Sequence, residues 1–173
     1  MGEMAGGRSL SAGIGASSEL MSAAFDWLAR SQQEPRHALR EWTERGAALL
    51  PLGKKFNAVC LSAQIVHAGA GTDDLQMVTA TLAELLCGPV IHNNPQHMYY
   101  ALVEPCATAR WNYPDEAPML GSGQFLSVPA SDLTGPVGLY WAVRPRIAGD
   151  LCPVPSVAAL IEIGRSQMRG GRR

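Results

Sequence analysis

The chain lacks the features that mark membrane, secreted and zinc-finger proteins. None of its 173 residues belongs to an apolar run long enough to span a bilayer. Its four cysteines form no C-x-x-C pair, which favours reduced thiols over a disulfide framework or a zinc finger. The Gly/Ser/Ala-rich segment 1–17 has no basic-led apolar stretch, so no signal peptide is predicted. We therefore expect a cytoplasmic protein without a membrane partner.

Basic residues are few and unevenly distributed. Of the 14 Lys and Arg residues, four lie in segment 165–173, which leaves ten against 15 acidic residues elsewhere. An acidic body does not favour general nucleic-acid binding, because phosphate contacts need a basic face. The sequence predicts a disordered basic tail over 165–173, where contact with nucleic acid or an acidic partner stays open. Twelve Arg against two Lys indicates a GC-rich bacterial genome.

Apolar periodicity predicts one domain of class α+β over residues 18–164, with a flexible tail over 1–17. The mixed or antiparallel sheet is expected to carry helices on one face. The predicted helices are 17–28, 35–45, 62–70, 72–86 and 155–163, and the predicted strands are 47–52, 58–61, 90–92, 98–103, 124–128 and 139–143. The Asn-Asn-Pro-Gln stretch at 93–96 predicts a hairpin turn.

Three segments carry a family resemblance. They are an Arg-Gly, apolar strand, Pro, Gly-Lys-Lys stretch at 45–55, a Gln-His-Met-Tyr-Tyr stretch at 96–100, and a Gly-led strand with a Pro turn and Tyr-Trp at 123–141. Together they resemble the primase-polymerase domain found at the N-terminus of many bifunctional plasmid and phage replication proteins. The resemblance covers 34–143 and implies a primase-polymerase-like fold, in which His97 would contact nucleotide phosphates.

The acidic residues that such polymerases need are missing from the expected positions. Two divalent metals would require an Asp-x-Asp or Asp-x-Glu pair on one strand and a third acid on a later strand. Between residues 56 and 95 the acids are Asp73, Asp74 and Glu84, all in a predicted helix. We therefore assign no catalytic residue and no metal ligand, and expect Mg²⁺ or Mn²⁺ only if the protein is an enzyme after all.

The candidate ligand residues are His97, Lys54, Lys55, Tyr99 and Tyr140, which would bind a nucleotide or nucleic acid in the cleft that the resemblance implies. Adjacent residues of a strand point to opposite faces. One aromatic of each pair, Tyr99-Tyr100 and Tyr140-Trp141, is therefore a candidate exposed group for stacking on a base, with core packing as the alternative.

A second histidine, His92, lies on the other side of the turn from His97. We expect the two either to face each other across the turn or to be ordinary polar residues flanking it. Without a nearby carboxylate they would be a poor site for a divalent metal in phosphate chemistry.

Three functions remain open from the sequence. The first is a catalytically degenerate primase-polymerase-like protein with a non-enzymatic binding or regulatory role, tied to replication or transfer of a mobile element. The second is an active nucleotidyltransferase whose acids are displaced to Asp73, Asp115 and Glu116. The third is a protein-interaction module that keeps only the fold and binds a protein partner.

Overall fold

The computed structural model describes residues 6–171. Its elements in chain order are α1 (Gly6–Ala29), α2 (Pro35–Arg45), β1 (Ala47–Pro51), β2 (Asn57–Ser62), α3 (Ala63–Ala70), α4 (Leu75–Leu86), β3 (Val90–Asn93), β4 (Met98–Val103), a 3-10 helix (Pro105–Arg110), β5 (Met119–Leu120), β6 (Phe125–Pro129), β7 (Leu139–Val143) and α5 (Val154–Gly170). The predicted α+β class is confirmed.

An antiparallel sheet of five strands forms the centre of the molecule, in the order β5-β2-β4-β3-β7. Strands β3 and β4 form the predicted hairpin, with Asn93 opposite Met98 at its end. Strands β1 and β6 form a separate antiparallel pair. No helix within residues 6–171 is long and apolar enough to cross a membrane.

Both faces of the central sheet are buried, so the expectation of helices on one face is wrong. On β4, Tyr99 faces a core with α3, α4 and α5, whereas Leu102 faces a second core with α1, α2 and the β1–β6 pair. The strands are apolar on both faces, and each face must therefore be covered. The second core is also tied by hydrogen bonds, because the Trp42 indole donates to the Val128 carbonyl at 2.9 Å and the Trp141 indole to the Pro129 carbonyl at 2.8 Å.

The observed helix ends are close to the predicted ones where a capping residue marks the end. Helix α2 begins at Pro35, and ends at Gly46 with a left-handed φ of 75°, as predicted. Its buried residues are Ala38 and Trp42, whereas Leu39 is exposed. Helix α4 begins at Leu75 rather than at the predicted residue 72, so Asp73 and Asp74 precede the helix. Asp74 caps it by accepting a hydrogen bond from the Met77 amide at 3.1 Å.

The two predicted tails are partly helical. Helix α1 begins at Gly6 rather than at Ser17, and α5 continues through Gly170 instead of stopping at Gly164. Residues 1–5 and 172–173 of those predictions lie outside the described residues. Gly164 is buried inside α5, because a Cβ there would lie 2.5 Å from the Ile65 carbonyl oxygen of α3. It is therefore a contact point between two helices rather than a helix stop.

Candidate functional site: a histidine–tyrosine cluster

A row of three polar aromatic side chains crosses the sheet near the β3–β4 turn. His92 on β3 lies opposite Tyr99 on β4 and opposite Tyr140 on β7. All three are buried beneath the helices, with exposed fractions of 1%, 1% and 3%. The His92 imidazole stacks on the Tyr99 ring, with centroids 3.9 Å apart and planes inclined by 2°. The position of His92 is therefore fixed by its neighbours on both sides.

Hydrogen bonds extend the row into α3. The His92 Nδ1 atom lies 2.6 Å from the Tyr140 hydroxyl. The Tyr99 hydroxyl lies 3.0 Å from Nε2 of His67, a half-buried residue in the last turn of α3. Each of the two tyrosine hydroxyls therefore has an imidazole nitrogen as its hydrogen-bond partner. We call His67, His92, Tyr99 and Tyr140, together with His97, the histidine cluster.

His97 joins the cluster from the turn. Its φ of 55° is left-handed, which is uncommon for a residue other than glycine. Its backbone N–H donates to the Asn94 carbonyl at 3.1 Å, and its carbonyl accepts from the Ala63 amide at 2.8 Å, so the turn is anchored to the start of α3. The imidazole is exposed, and its charge acts on both His67 and His92.

Burial favours the uncharged forms of His67, His92 and the two tyrosines by shifting their pKa values. Burial, followed by the charges of His67 and His97, lowers the pKa of His92 to about 4. Burial also lowers the pKa of His67, which Asp73 partly offsets. Burial raises the pKa of the Tyr99 and Tyr140 hydroxyls. At neutral pH His92 is therefore an uncharged imidazole beside two protonated tyrosines, and none of them is poised as a charged catalytic group.

Of the five predicted ligand residues, the structure brings three together and separates two. His97, Tyr99 and Tyr140 are in the histidine cluster. Lys54 and Lys55 lie in the loop before β2, whose far end, Ser62, pairs with Met98 next to His97. A six-residue strand spans roughly 17 Å or more.

The structure therefore places the lysines and His97 at opposite ends of β2, and does not bring them into a single cleft. The Lys55 ammonium instead lies 6.0 Å from the centre of the Trp27 ring.

Of the two alternatives for the aromatic pairs, core packing is the one found. Tyr99, Tyr140 and Trp141 are almost fully buried, and Tyr100 is half-buried. Neither side of the central sheet faces solvent, because helices or the β1–β6 pair cover each side. A base cannot stack on these rings without opening the core.

No sequence signal placed His67 beside the aromatic strands. Of the two expectations for His92, the one that put it opposite His97 is not met, because the register of the hairpin places His92 opposite Tyr99. The two-residue period of β3 was a usable signal, because it puts His92 on the same side as the buried Val90. Nothing local pointed to His67, since it reaches the cluster only through the packing of α3 on the sheet.

The residues present do not fit a divalent-metal centre. Within residues 6–171, no group of three or more His, Cys, Asp or Glu side chains could hold a metal ion. Of the three proposed displaced acids, Glu116 lies 3.0 Å from the Arg165 guanidinium, and Asp73 influences the pKa of His67. Together with Asp115 they form no group within residues 6–171 that could hold a metal ion. The alternative of an active nucleotidyltransferase therefore has no metal site in this part of the chain.

No protein-family profile, curated protein or solved structure matches this chain. The fold and site define an α+β protein with an antiparallel sheet, helices on both of its faces and a buried histidine–tyrosine cluster near one hairpin turn. The primase-polymerase resemblance rests on the three sequence segments alone and stays a prediction.

Proposed function

We propose that this protein is a non-enzymatic, primase-polymerase-like nucleotide-binding protein whose histidine cluster receives the phosphates. The carrying observation is that packing and hydrogen bonds bring three histidines to one end of the sheet. The carbonyl of His97 accepts from the Ala63 amide at the start of α3. His67 of the same helix lies 3.0 Å from the Tyr99 hydroxyl, and the Tyr99 ring stacks on His92. A proton on one ring is disfavoured by charge on the others. A bound anion offsets that repulsion between protonated imidazoles, so a phosphate group is the ligand that fits this cluster best.

The accessible part of the cluster is where a phosphate would bind. His97 is exposed and His67 is half-buried, whereas His92 is enclosed. Phosphate oxygens would contact the first two rings, and His92 with the two tyrosines would hold them in place. The role of His97 agrees with the one that the family resemblance implies. A place in the replication or transfer of a mobile element follows from that resemblance.

Binding through imidazoles makes affinity depend on pH in a defined direction. An anion stabilises the protonated imidazole, so binding is accompanied by proton uptake. Nucleotide should bind more tightly at pH 6 than at pH 8. Because no group of side chains within residues 6–171 could hold a metal ion, binding should also persist in EDTA.

The test is thermal unfolding of the full chain with ATP and EDTA at pH 6 and pH 8. A ligand that binds only the folded state raises the melting temperature. We expect a larger rise at pH 6, lost in His97→Asn, since asparagine tolerates the left-handed backbone at this position. Lys54→Ala/Lys55→Ala is the matched control and should keep the rise. A shift that needs Mg²⁺, or one that depends on the lysines and not on His97, would refute the proposal.

A protein-interaction module is the second candidate, and one surface favours it. The outer side of the β1–β6 pair exposes Leu49 by 51% and Phe125 by 58%. Neighbouring exposed apolar side chains on a strand pair are typical of contact surfaces. If ATP causes no shift at either pH, sedimentation of the wild type and of Leu49→Ser/Phe125→Ser would test this surface for self-association. Equal sedimentation at all concentrations would count against self-association there.

A further inference from the structure

A pocket of about 310 Å³ lies between α3 and the C-terminal half of α5. Its apolar wall is formed by the buried Ile65 and the half-buried Met168. Polar groups of Gln64, Arg165 and Arg169 surround the more exposed part. This volume is at the lower end of small-molecule sites, which combine apolar walls with a few polar groups. The pocket shares no residue with the histidine cluster.

Arg165 is already neutralised by its neighbours. Its Nε atom lies 3.0 Å from Glu116 and its Nη1 atom 3.3 Å from Glu162, and its guanidinium lies 5.9 Å from the centre of the Tyr113 ring. The Tyr113 hydroxyl donates to the same Glu162 carboxylate at 2.6 Å. These contacts fix Arg165 as part of the pocket wall and leave it little net charge to attract a ligand.

Arg169 is different, although it follows one turn later on the same helix. It is exposed and lines the pocket, and it has no ion-pair partner among residues 6–171. Arg165 pairs with two carboxylates, so these three groups together carry one net negative charge, which opposes an incoming anion while Arg169 attracts it. One unbalanced guanidinium beside a carboxylate suits a singly charged group better than a phosphate dianion.

We propose that this pocket binds a small amphipathic carboxylate, with its apolar body against Ile65 and Met168 and its carboxylate on Arg169. Burial of the apolar body supplies most of the affinity, because an exposed ion pair contributes little. The guanidinium fork supplies orientation and the preference for an anion. The site is independent of the proposed nucleotide function, since it uses other residues and another class of ligand.

Isothermal titration of the full chain with octanoate tests this assignment, with the uncharged octanamide as the matched ligand. Octanoate should bind more tightly than octanamide, and Arg169→Gln should remove that preference, weakening octanoate by about fivefold. Gln64→Trp should abolish binding of both compounds, because the indole would fill the pocket from an exposed helix position. Arg40→Gln on α2 is the control for general charge and should bind like the wild type.

Equal affinity of the wild type for octanoate and octanamide would overturn the carboxylate assignment. Unchanged binding in Gln64→Trp, or no binding by the wild type, would overturn the site itself. Circular dichroism of each variant confirms that a loss of binding is not a loss of folding. ATP at pH 6 should not displace octanoate, so the outcome here and the outcome for the histidine cluster are read separately.

Discussion

Acid should unfold this protein partly through one residue, His92. In the folded chain its pKa is lowered to about 4 from the ordinary 6.5, chiefly because the ring is buried. As the pH falls, His92 is therefore protonated near pH 6.5 in the unfolded chain, but only near pH 4 in the folded chain. The neutral ring favours folding above pH 6.5, and this contribution is lost progressively as pH falls from 6.5 to about 4. This difference between the pKa of His92 in the folded and in the unfolded chain corresponds to on the order of 3 kcal/mol of folding free energy.

Urea unfolding at pH 7.5, 6, 5 and 4 would measure the effect. The reference is His92→Phe/Tyr140→Phe, which keeps two aromatic rings but removes the titrating group and the hydroxyl that bonds to it. Other groups titrate in both proteins, so the difference between their unfolding free energies isolates His92 and its bond to Tyr140. Wild type should lose about 3 kcal/mol relative to the double variant between pH 7.5 and pH 4. A difference that stays constant with pH would refute the reasoning.

Three further predictions concern the backbone and the second core. Gly164→Ala should destabilise the protein by about 1–3 kcal/mol in urea unfolding, because its Cβ would lie 2.5 Å from the Ile65 carbonyl; Gly170→Ala, on the same helix with nothing within 4 Å, should not. His97→Gly should raise the melting temperature, since glycine adopts a φ of 55° without strain; a lower melting temperature would show that the imidazole itself stabilises the turn. Trp42→Phe should cost about 1–3 kcal/mol by leaving a β6 carbonyl without its indole donor, and unchanged urea unfolding would contradict that.

Local signals in the sequence determined most of the elements. Pro35 and Gly46 bound α2, Asp74 caps α4, and the Asn-Pro turn before His97 joins β3 to β4. These features act within a few residues of the chain, through fixed proline φ, left-handed glycine and side-chain caps. They can therefore be predicted without knowing what the element packs against.

Two helix ends were mispredicted although a glycine or a serine marked them. Gly164 resembled a stop, but the approach of α3 needs a residue without a side chain there, and α5 continues past it. Likewise, Ser17 resembled a start although α1 begins at Gly6. A glycine or serine has the same local preference in both situations, so only its tertiary neighbours distinguish a boundary from a packing site.

The candidate site was decided almost wholly by the tertiary structure. The sequence identified His97, Tyr99 and Tyr140, but it also grouped Lys54 and Lys55 with them, at the wrong end of β2. Strand register, which brings residues distant in sequence together, set His92 between two tyrosines. Helix packing then buried the row and added a histidine from α3. Register and burial depend on the whole hydrophobic pattern at once, so the short motifs of this chain could suggest the site's chemistry but not its assembly.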